Sequence, residues 1–128
     1  MKEVLVIDDD ELDLELLRIV LTKEHYIVYS TADGPQGILL YQHHKPSLVF
    51  LDLGLPSMSG IDVLREIRLY DSSANVVLIT GYASTESAAS AGKLGAIDYI
   101  EKSWDVEVMV KRIKECLQRF EENINCDF

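Results

Sequence analysis

The sequence predicts an α/β fold, a doubly wound sheet of five parallel strands with helices on both faces. Short apolar runs alternate five times with segments of helical periodicity along the 128 residues. This alternation is typical of buried parallel strands joined by crossover helices. Because such crossovers are right-handed, the helices are distributed over both faces of the sheet. A chain of this length forms one domain with a core of ordinary size.

Five apolar runs predict the strands. Val, Ile and Leu dominate these runs, as expected for strands that are covered on both faces. The predicted strands are residues 3–7, 27–31, 47–53, 75–80 and 96–100.

The segments that follow the first two strands have the period of helices. Residues 10–25 carry an apolar stripe at helical spacing, formed by Leu12, Leu16, Leu17, Val20 and Leu21. Asp10 is suited to cap this helix, since the helix dipole favours negative charge at the N-terminus. Residues 34–43 predict a second helix. Pro35 lies in its first turn, where a missing N–H breaks no helical hydrogen bond.

Three more helices complete the alternation. The third is predicted to begin at Ser59 or Gly60 and to end at Tyr70. The fourth, residues 84–93, is rich in Ala, Ser and Gly, which fits either a low-stability element that shifts its position or a helix that packs closely. The last, residues 105–120, directs an apolar stripe inward: Val106, Met109, Val110, Ile113, Leu117 and Phe120.

Composition restricts the class of function. The net charge of −10 argues against direct contact of this segment with nucleic acid, which requires a basic surface. No apolar stretch approaches the roughly 18 residues that cross a bilayer, so we expect no membrane partner. Cys116 and Cys126 are too few for a disulfide framework, and a reduced, cytoplasmic location is the default expectation.

Polar residues follow the predicted strands at the points where these strands end. They are Asp8 and Asp9, Asp52, Thr80 and Lys102. Functional groups collect at the carboxyl ends of the strands in an open parallel sheet. Three carboxylates, a hydroxyl and an ammonium would therefore meet at one edge, which predicts a site for a divalent cation and a phosphoryl group.

Four sequence segments around these residues resemble the receiver domains of two-component response regulators. The segments are residues 4–11, 49–60, 77–83 and 95–102, and the resemblance extends over about residues 3–120. It implies a flavodoxin-like (βα)5 sheet with the strand order 2-1-3-4-5. The receiver domain would span residues 1–120, and residues 121–128 would form a short C-terminal tail.

The resemblance implies that Asp52 accepts a phosphoryl group from a sensor histidine kinase or a histidine phosphotransfer protein. A carboxylate can form such an aspartyl phosphate by covalent catalysis. Asp9 would bind Mg²⁺ directly, and Asp8 would act largely through water. Asp52 and the backbone carbonyl of Gly54 would complete the protein ligands, and Mg²⁺ prefers such oxygen donors.

The remaining roles also follow from the family. Lys102 would bring its charge to the phosphoryl oxygens, and the hydroxyl of Thr80 would donate to one of them. Tyr99 occupies the position of the family's aromatic switch, which would pack inward when Thr80 moves toward the phosphate. The domain would catalyse only its own phosphorylation and a slow autodephosphorylation, since neither Gly54 nor Tyr82 supplies a group that orients water.

One residue departs from the family pattern. The family usually has proline after the position of Lys102, commonly with a cis peptide bond, whereas this chain has Ser103 and then Trp104. A cis bond before a residue other than proline costs roughly 2.5–4 kcal/mol. We therefore expect a trans Lys102–Ser103 bond and a locally rebuilt loop.

Two other classes of protein remain as alternatives. Asp8 and Asp10 have the spacing of the haloacid-dehalogenase-like phosphatases, but Leu12 replaces the usual Thr or Val and the chain is short for that fold. A flavin-binding protein of the same architecture would need a hydroxyl- and glycine-rich loop after the first strand. As a receiver domain, the chain is a stand-alone protein, a phosphorelay intermediate or the N-terminal part of a regulator with an unknown output.

Overall fold

Five parallel strands form a single sheet in the computed structural model, which describes residues 2–81, 89, 90 and 92–125. The strands are β1 (Glu3–Ile7), β2 (Ile27–Thr31), β3 (Leu48–Asp52), β4 (Val76–Thr80) and β5 (Asp98–Glu101). They are arranged in the order β2-β1-β3-β4-β5, and every neighbouring pair is parallel. The predicted fold class and strand order are confirmed.

The described helices are α1 (Glu11–Lys23), α2 (Gly34–His44), α3 (Gly60–Tyr70) and a C-terminal helix (Val106–Asn125). Residues 89, 90, 92 and 93 are also helical. The rest of the predicted fourth helix, residues 84–88 and 91, lies outside the described residues. The two interpretations of its composition therefore stay predictions. No helix in the described part of the chain is long and apolar enough to cross a membrane.

Short polar side chains determine where the first three helices begin. Asp10 accepts hydrogen bonds from the backbone N–H groups of the first turn of α1, and Asp33 and Ser59 cap α2 and α3 in the same way. Such caps satisfy N–H groups that have no partner within the helix. α1 therefore begins at Glu11, one residue later than predicted.

The core has two layers, one on each face of the sheet. Alternate residues of each strand face opposite layers, so Val4 and Val6 pack with α1 and the C-terminal helix. Leu5 and Ile7 pack in the other layer with residues of α2 and α3. The central strand β3 is buried along its whole length.

Two side chains that were predicted to point inward are exposed. Leu12 is 82% exposed and Val106 is 61% exposed, whereas Leu17 and Ile113 on the same helices are fully buried. Leu12 and Val106 both lie in the first turn of a helix. The apolar stripe of each helix is covered only from its second turn onward.

The C-terminal helix continues to Asn125, beyond its predicted end at Phe120. The predicted tail, residues 121–128, is therefore helical as far as residue 125. Glu121 attaches this part of the helix to the N-terminal half of the domain. Its carboxylate accepts a hydrogen bond from the hydroxyl of Tyr26 at 2.9 Å and pairs with Lys2 at 3.2 Å.

A glycine allows α3 to begin directly against the end of β3. A Cβ atom at Gly60 would lie 2.5 Å from the carbonyl oxygen of Asp52 and 2.5 Å from the Cα of Leu53. Both contacts are with backbone, which cannot move aside, so this position has no room for any side chain. The close approach fixes the loop that follows Asp52.

The peptide bond that follows Lys102, in the loop after β5, has the predicted trans conformation. Among the described residues there are no cis peptide bonds, so the Lys102–Ser103 bond is trans. Trp104 follows in the same loop with its side chain fully exposed.

Candidate functional site

The side chains predicted from the strand ends meet at one edge of the sheet. Asp8 follows β1, Asp52 ends β3, Thr80 ends β4 and Lys102 follows β5. The ammonium nitrogen of Lys102 lies 3.0 Å from Oδ2 of Asp52 and 3.2 Å from Oδ2 of Asp8. We call Asp8, Asp9, Asp52, Thr80 and Lys102 the acidic site.

Asp52 is a buried member of the acidic site. Its side chain is nearly buried, and its two oxygens have different partners. Oδ2 accepts a hydrogen bond from Lys102 at 3.0 Å, whereas Oδ1 accepts one from the backbone N–H of Gly54 at 3.0 Å. Together the two contacts fix the orientation of the Asp52 carboxylate within the site.

Asp8 is the most deeply buried carboxylate of the site, with 1% exposure. Its Oδ1 accepts a hydrogen bond from the backbone N–H of Asp10 at 2.9 Å. Its Oδ2 is buried and accepts no hydrogen bond from the residues that the structure describes, although the ammonium of Lys102 is 3.2 Å away. Burial and the nearby charge of Asp52 raise the pKa of Asp8 to about 7, against the lowering effect of the Asp10 N–H and Lys102.

Three carboxylates are close enough to share a cation. Asp8, Asp9 and Asp52 each offer one oxygen, and these oxygens all lie within 4.8 Å of one another. Asp8 and Asp52 are buried, whereas Asp9 is exposed. An oxygen-only donor set of this kind suits Mg²⁺, and the buried Asp8 oxygen that lacks a hydrogen bond is a ready ligand. Gly54, the other predicted ligand, adjoins Asp52 through its N–H.

Besides Asp8 and Asp52, a third carboxylate contacts Lys102, and the sequence did not predict it. Oδ2 of Asp13 lies 2.7 Å from the ammonium nitrogen, closer than either Asp8 or Asp52. Asp13 is in the first turn of α1, four residues after Asp9. Because Asp9 precedes the helix, this spacing carries no information about the contact, and the sequence held no local signal for it.

The three carboxylates around Lys102 keep it charged. Burial works to lower the pKa of Lys102, but hydrogen bonds to Asp13 and Asp52 and the charges of Asp8 and Asp52 outweigh it, so that the pKa is raised above its ordinary value. The charged form of Lys102 is therefore favoured within the site.

Thr80 and Tyr99 lie on the neighbouring strands β4 and β5. Thr80 is buried, and its carbonyl oxygen accepts a hydrogen bond from the backbone N–H of Lys102 at 2.8 Å. The ring of Tyr99 is half-buried and packs against the core layer of α2 and α3. Its hydroxyl is buried and has no hydrogen-bond partner among the described residues. A Cβ atom at Gly81 would meet none of the described residues within 4 Å.

Comparison with known proteins agrees with this geometry. Residues 4–114 match the family model described as the response regulator receiver domain. This chain is a response regulator receiver domain. It is accordingly a signalling domain of the two-component systems, and the family resemblance of its sequence is confirmed.

Relatives and solved structures extend the comparison. The DNA-binding response regulator MtrA of Mycolicibacterium smegmatis is 36% identical over 121 residues, which are 94% of this chain and 53% of MtrA. A CheY-like receiver domain protein from Methanospirillum hungatei has a TM-score of 0.82 at 28% identity, covering 96% of this chain and 98% of that one. The response regulator TrrA from Thermotoga maritima, solved in complex with Mg²⁺ and BeF, has a TM-score of 0.76 at 30% identity, covering 90% and 98%. The chain spans about half the length of the curated relatives it matches.

Neutralising Asp9 should stabilise the metal-free receiver domain. The oxygen that Asp9 contributes lies within 4.8 Å of oxygens of Asp8 and Asp52, and like charges at such distances repel. Because Asp9 is exposed, we expect Asp9→Asn to raise the free energy of unfolding in EDTA by only about 1 kcal/mol, measured by urea denaturation.

Asp10→Asn is the matched control for this prediction. Asp10 is the neighbouring exposed acid and caps α1, a task that asparagine performs equally well. Its neutralisation should leave stability unchanged or slightly lower. A lower stability of Asp9→Asn than of the wild type in EDTA would contradict the electrostatic argument.

Removing the hydroxyl of Tyr99 should also stabilise the domain. This hydroxyl is buried without a partner, and a buried polar group that lacks a hydrogen bond is unfavourable. We expect Tyr99→Phe to raise the free energy of unfolding by about 1 kcal/mol. Tyr41→Phe is the control, because the buried Tyr41 donates its hydroxyl to Asp71 at 2.7 Å and should lose stability. Equal effects of the two substitutions would show that the Tyr99 hydroxyl has a partner in solution.

Proposed function

We propose that this receiver domain accepts a phosphoryl group on Asp52 in the presence of Mg²⁺. One observation carries the proposal: the Asp52 carboxylate is nearly buried and fixed between the ammonium of Lys102 and the N–H of Gly54, with Asp8 and Asp9 beside it. A lone aspartate that ends a strand needs no such surroundings. A carboxylate that attacks phosphorus needs all of them.

The transfer takes place between a phosphohistidine and Asp52. One oxygen of the Asp52 carboxylate attacks phosphorus, the bond between phosphorus and the histidine nitrogen breaks, and the histidine keeps the electron pair. The product is an acyl phosphate. Lys102, at 3.0 Å from the attacking carboxylate, binds a phosphoryl oxygen through its ammonium group and offsets the added negative charge.

The acidic site supplies the ligands for Mg²⁺. Asp8, Asp9 and Asp52 would hold the ion together with the backbone carbonyl of Gly54. The bound ion would screen the carboxylates from the incoming phosphate and polarise its oxygens. The structure of the related TrrA with Mg²⁺ and BeF supports this assignment.

Thr80 and Tyr99 would convert the modification into a change of shape. The hydroxyl of Thr80 would donate a hydrogen bond to the phosphoryl group, and the movement of Thr80 would change the space available to the Tyr99 ring on the adjacent strand. In the structure this ring contacts the core, while its hydroxyl has no hydrogen-bond partner in the described part of the chain. Because no hydrogen bond to a described residue fixes its hydroxyl, Tyr99 suits an element with two conformations. A change of charge in the nearby site can shift the equilibrium between them.

The partners follow from this chemistry. The donor of the phosphoryl group would be a sensor histidine kinase or a histidine phosphotransfer protein. The signal would then pass to an output domain or to a separate target protein. Because the net charge is −10, the described segment would not itself contact nucleic acid.

The first experiment is phosphorylation in vitro. Incubation with acetyl phosphate and Mg²⁺ should add one phosphoryl group, seen as a change in intact mass. Asp52→Asn should prevent the addition, and so should EDTA, because Mg²⁺ offsets the repulsion between phosphate and carboxylates. Asp62→Asn, an exposed acid paired with Arg65 on α3, is the matched control and should be labelled normally. An unchanged mass of the wild type, or labelling of Asp52→Asn, would refute the assignment.

The phosphorylated state should persist for minutes to hours. Hydrolysis requires a water in line with the phosphorus–oxygen bond, and the exposed Gly54 has no side chain to orient one. Tyr82, the other residue that was predicted to supply no group that orients water, lies outside the described residues. We expect Gly54→Asn to shorten the lifetime by adding a carboxamide, for which there is room, since a Cβ atom there would lie 3.7 Å from Asp52 Oδ1.

Loss of phosphoryl label at fixed Mg²⁺ measures this lifetime. Gly54→Ala adds the Cβ atom without the carboxamide and should decay like the wild type. A wild-type lifetime of seconds would show that another group positions the water.

A further inference from the structure

The ammonium group of Lys102 is surrounded by three carboxylates. Its ammonium nitrogen lies 2.7 Å from Asp13, 3.0 Å from Asp52 and 3.2 Å from Asp8. A lysine has three N–H donors and no acceptor. A phosphoryl oxygen that binds Lys102 therefore competes with these carboxylates for its donors.

The three partners of Lys102 are not equivalent. Asp52 is the proposed phosphoacceptor, and Asp8 belongs to the group of carboxylates that can share a cation. Asp13 is outside that group, although it makes the shortest contact. Its side chain is 24% exposed, against 6% for Asp52 and 2% for Asp8. Asp13 is thus the partner that the transfer of a phosphoryl group does not require.

We propose that Asp13 is a positioning residue that competes with the phosphoryl group for Lys102 and thereby weakens the affinity of the site for that anion. The inference rests on the proposed phosphorylation of Asp52. When the ammonium of Lys102 binds a phosphoryl oxygen, it stays close to Asp13. The phosphoryl group and the Asp13 carboxylate, which share this ammonium, then repel each other. Asp13 holds Lys102 before transfer and opposes the phosphorylated state afterwards.

Binding of fluoroberyllate, a phosphoryl analogue, tests the competition. Isothermal titration calorimetry in saturating Mg²⁺ should show that Asp13→Asn lowers the dissociation constant for fluoroberyllate by about fivefold, the effect typical of one partly exposed ion pair. Glu11→Gln is the matched control, because Glu11 is an exposed acid in the same turn of α1 and loses the same charge. It should change the constant by less than twofold.

A second substitution separates competition for Lys102 from a general effect of charge. In a Lys102→Gln background, Asp13→Asn should change the dissociation constant no more than Glu11→Gln does, since the shared ammonium is absent. A fivefold effect that persists without Lys102 would overturn the proposal. So would equal effects of Asp13→Asn and Glu11→Gln in the wild-type background.

The contact can also be measured without metal or anion. In EDTA, acetic anhydride should modify the Lys102 amine faster in Asp13→Asn than in the wild type or Glu11→Gln, as followed by peptide mass mapping. An unchanged rate would show that Asp13 does not hold Lys102 and would overturn the proposal. If the wild type bound no fluoroberyllate and accepted no phosphoryl group, the proposed function itself would fail, which is a different result from a failure of Asp13→Asn alone.

Discussion

One ammonium group compensates for the buried carboxylates on which the acidic site is built. Asp8 and Asp52 are 1% and 5% exposed, and burial of unpaired carboxylates is strongly unfavourable. Within the described part of the chain, Lys102 is the only cation that forms an ion pair with either of them. The site therefore requires β5 to end where Lys102 can reach the carboxylates at the ends of β1 and β3.

The architecture satisfies this requirement through backbone geometry. Parallel strands end at the same edge, and β3 lies between β1 and β4 so that Asp52 occupies the middle of that edge. The absence of a side chain at Gly60 lets α3 start directly behind Asp52. The first turn of α1 then brings Asp13 to the same ammonium from the side. Each contribution comes from a different part of the chain, so the site is formed only when the sheet is complete.

The sheet and most of the site could be predicted from the sequence because both depend on local patterns. The strands and the convergence of Asp8, Asp52 and Lys102 follow from apolar runs and the residues that end them, whereas the strand order was implied by the family resemblance. The contact of Asp13 was missed because it depends on the path of a long lysine side chain that crosses from β5 to α1, and no local pattern records that path.

Helix ends were predicted less well for a related reason. Helical period identifies the inward face of a helix but not how far the neighbouring sheet extends, so Leu12 was expected in the core and is 82% exposed. At the other end of the domain, Glu121 prolongs the C-terminal helix through contacts with Tyr26 and Lys2. Those contacts join residues about a hundred positions apart, beyond the range of any periodicity.

The loop after β5 gives the domain an intrinsic optical reporter. Trp104 is the only tryptophan in the sequence, and its indole is fully exposed two residues after Lys102. Tryptophan emission depends on the polarity of the surroundings of the ring and on nearby quenching groups. The tryptophan fluorescence of the unlabelled protein therefore originates two residues from Lys102, and a rearrangement that alters the surroundings of the indole changes the signal of a single fluorophore.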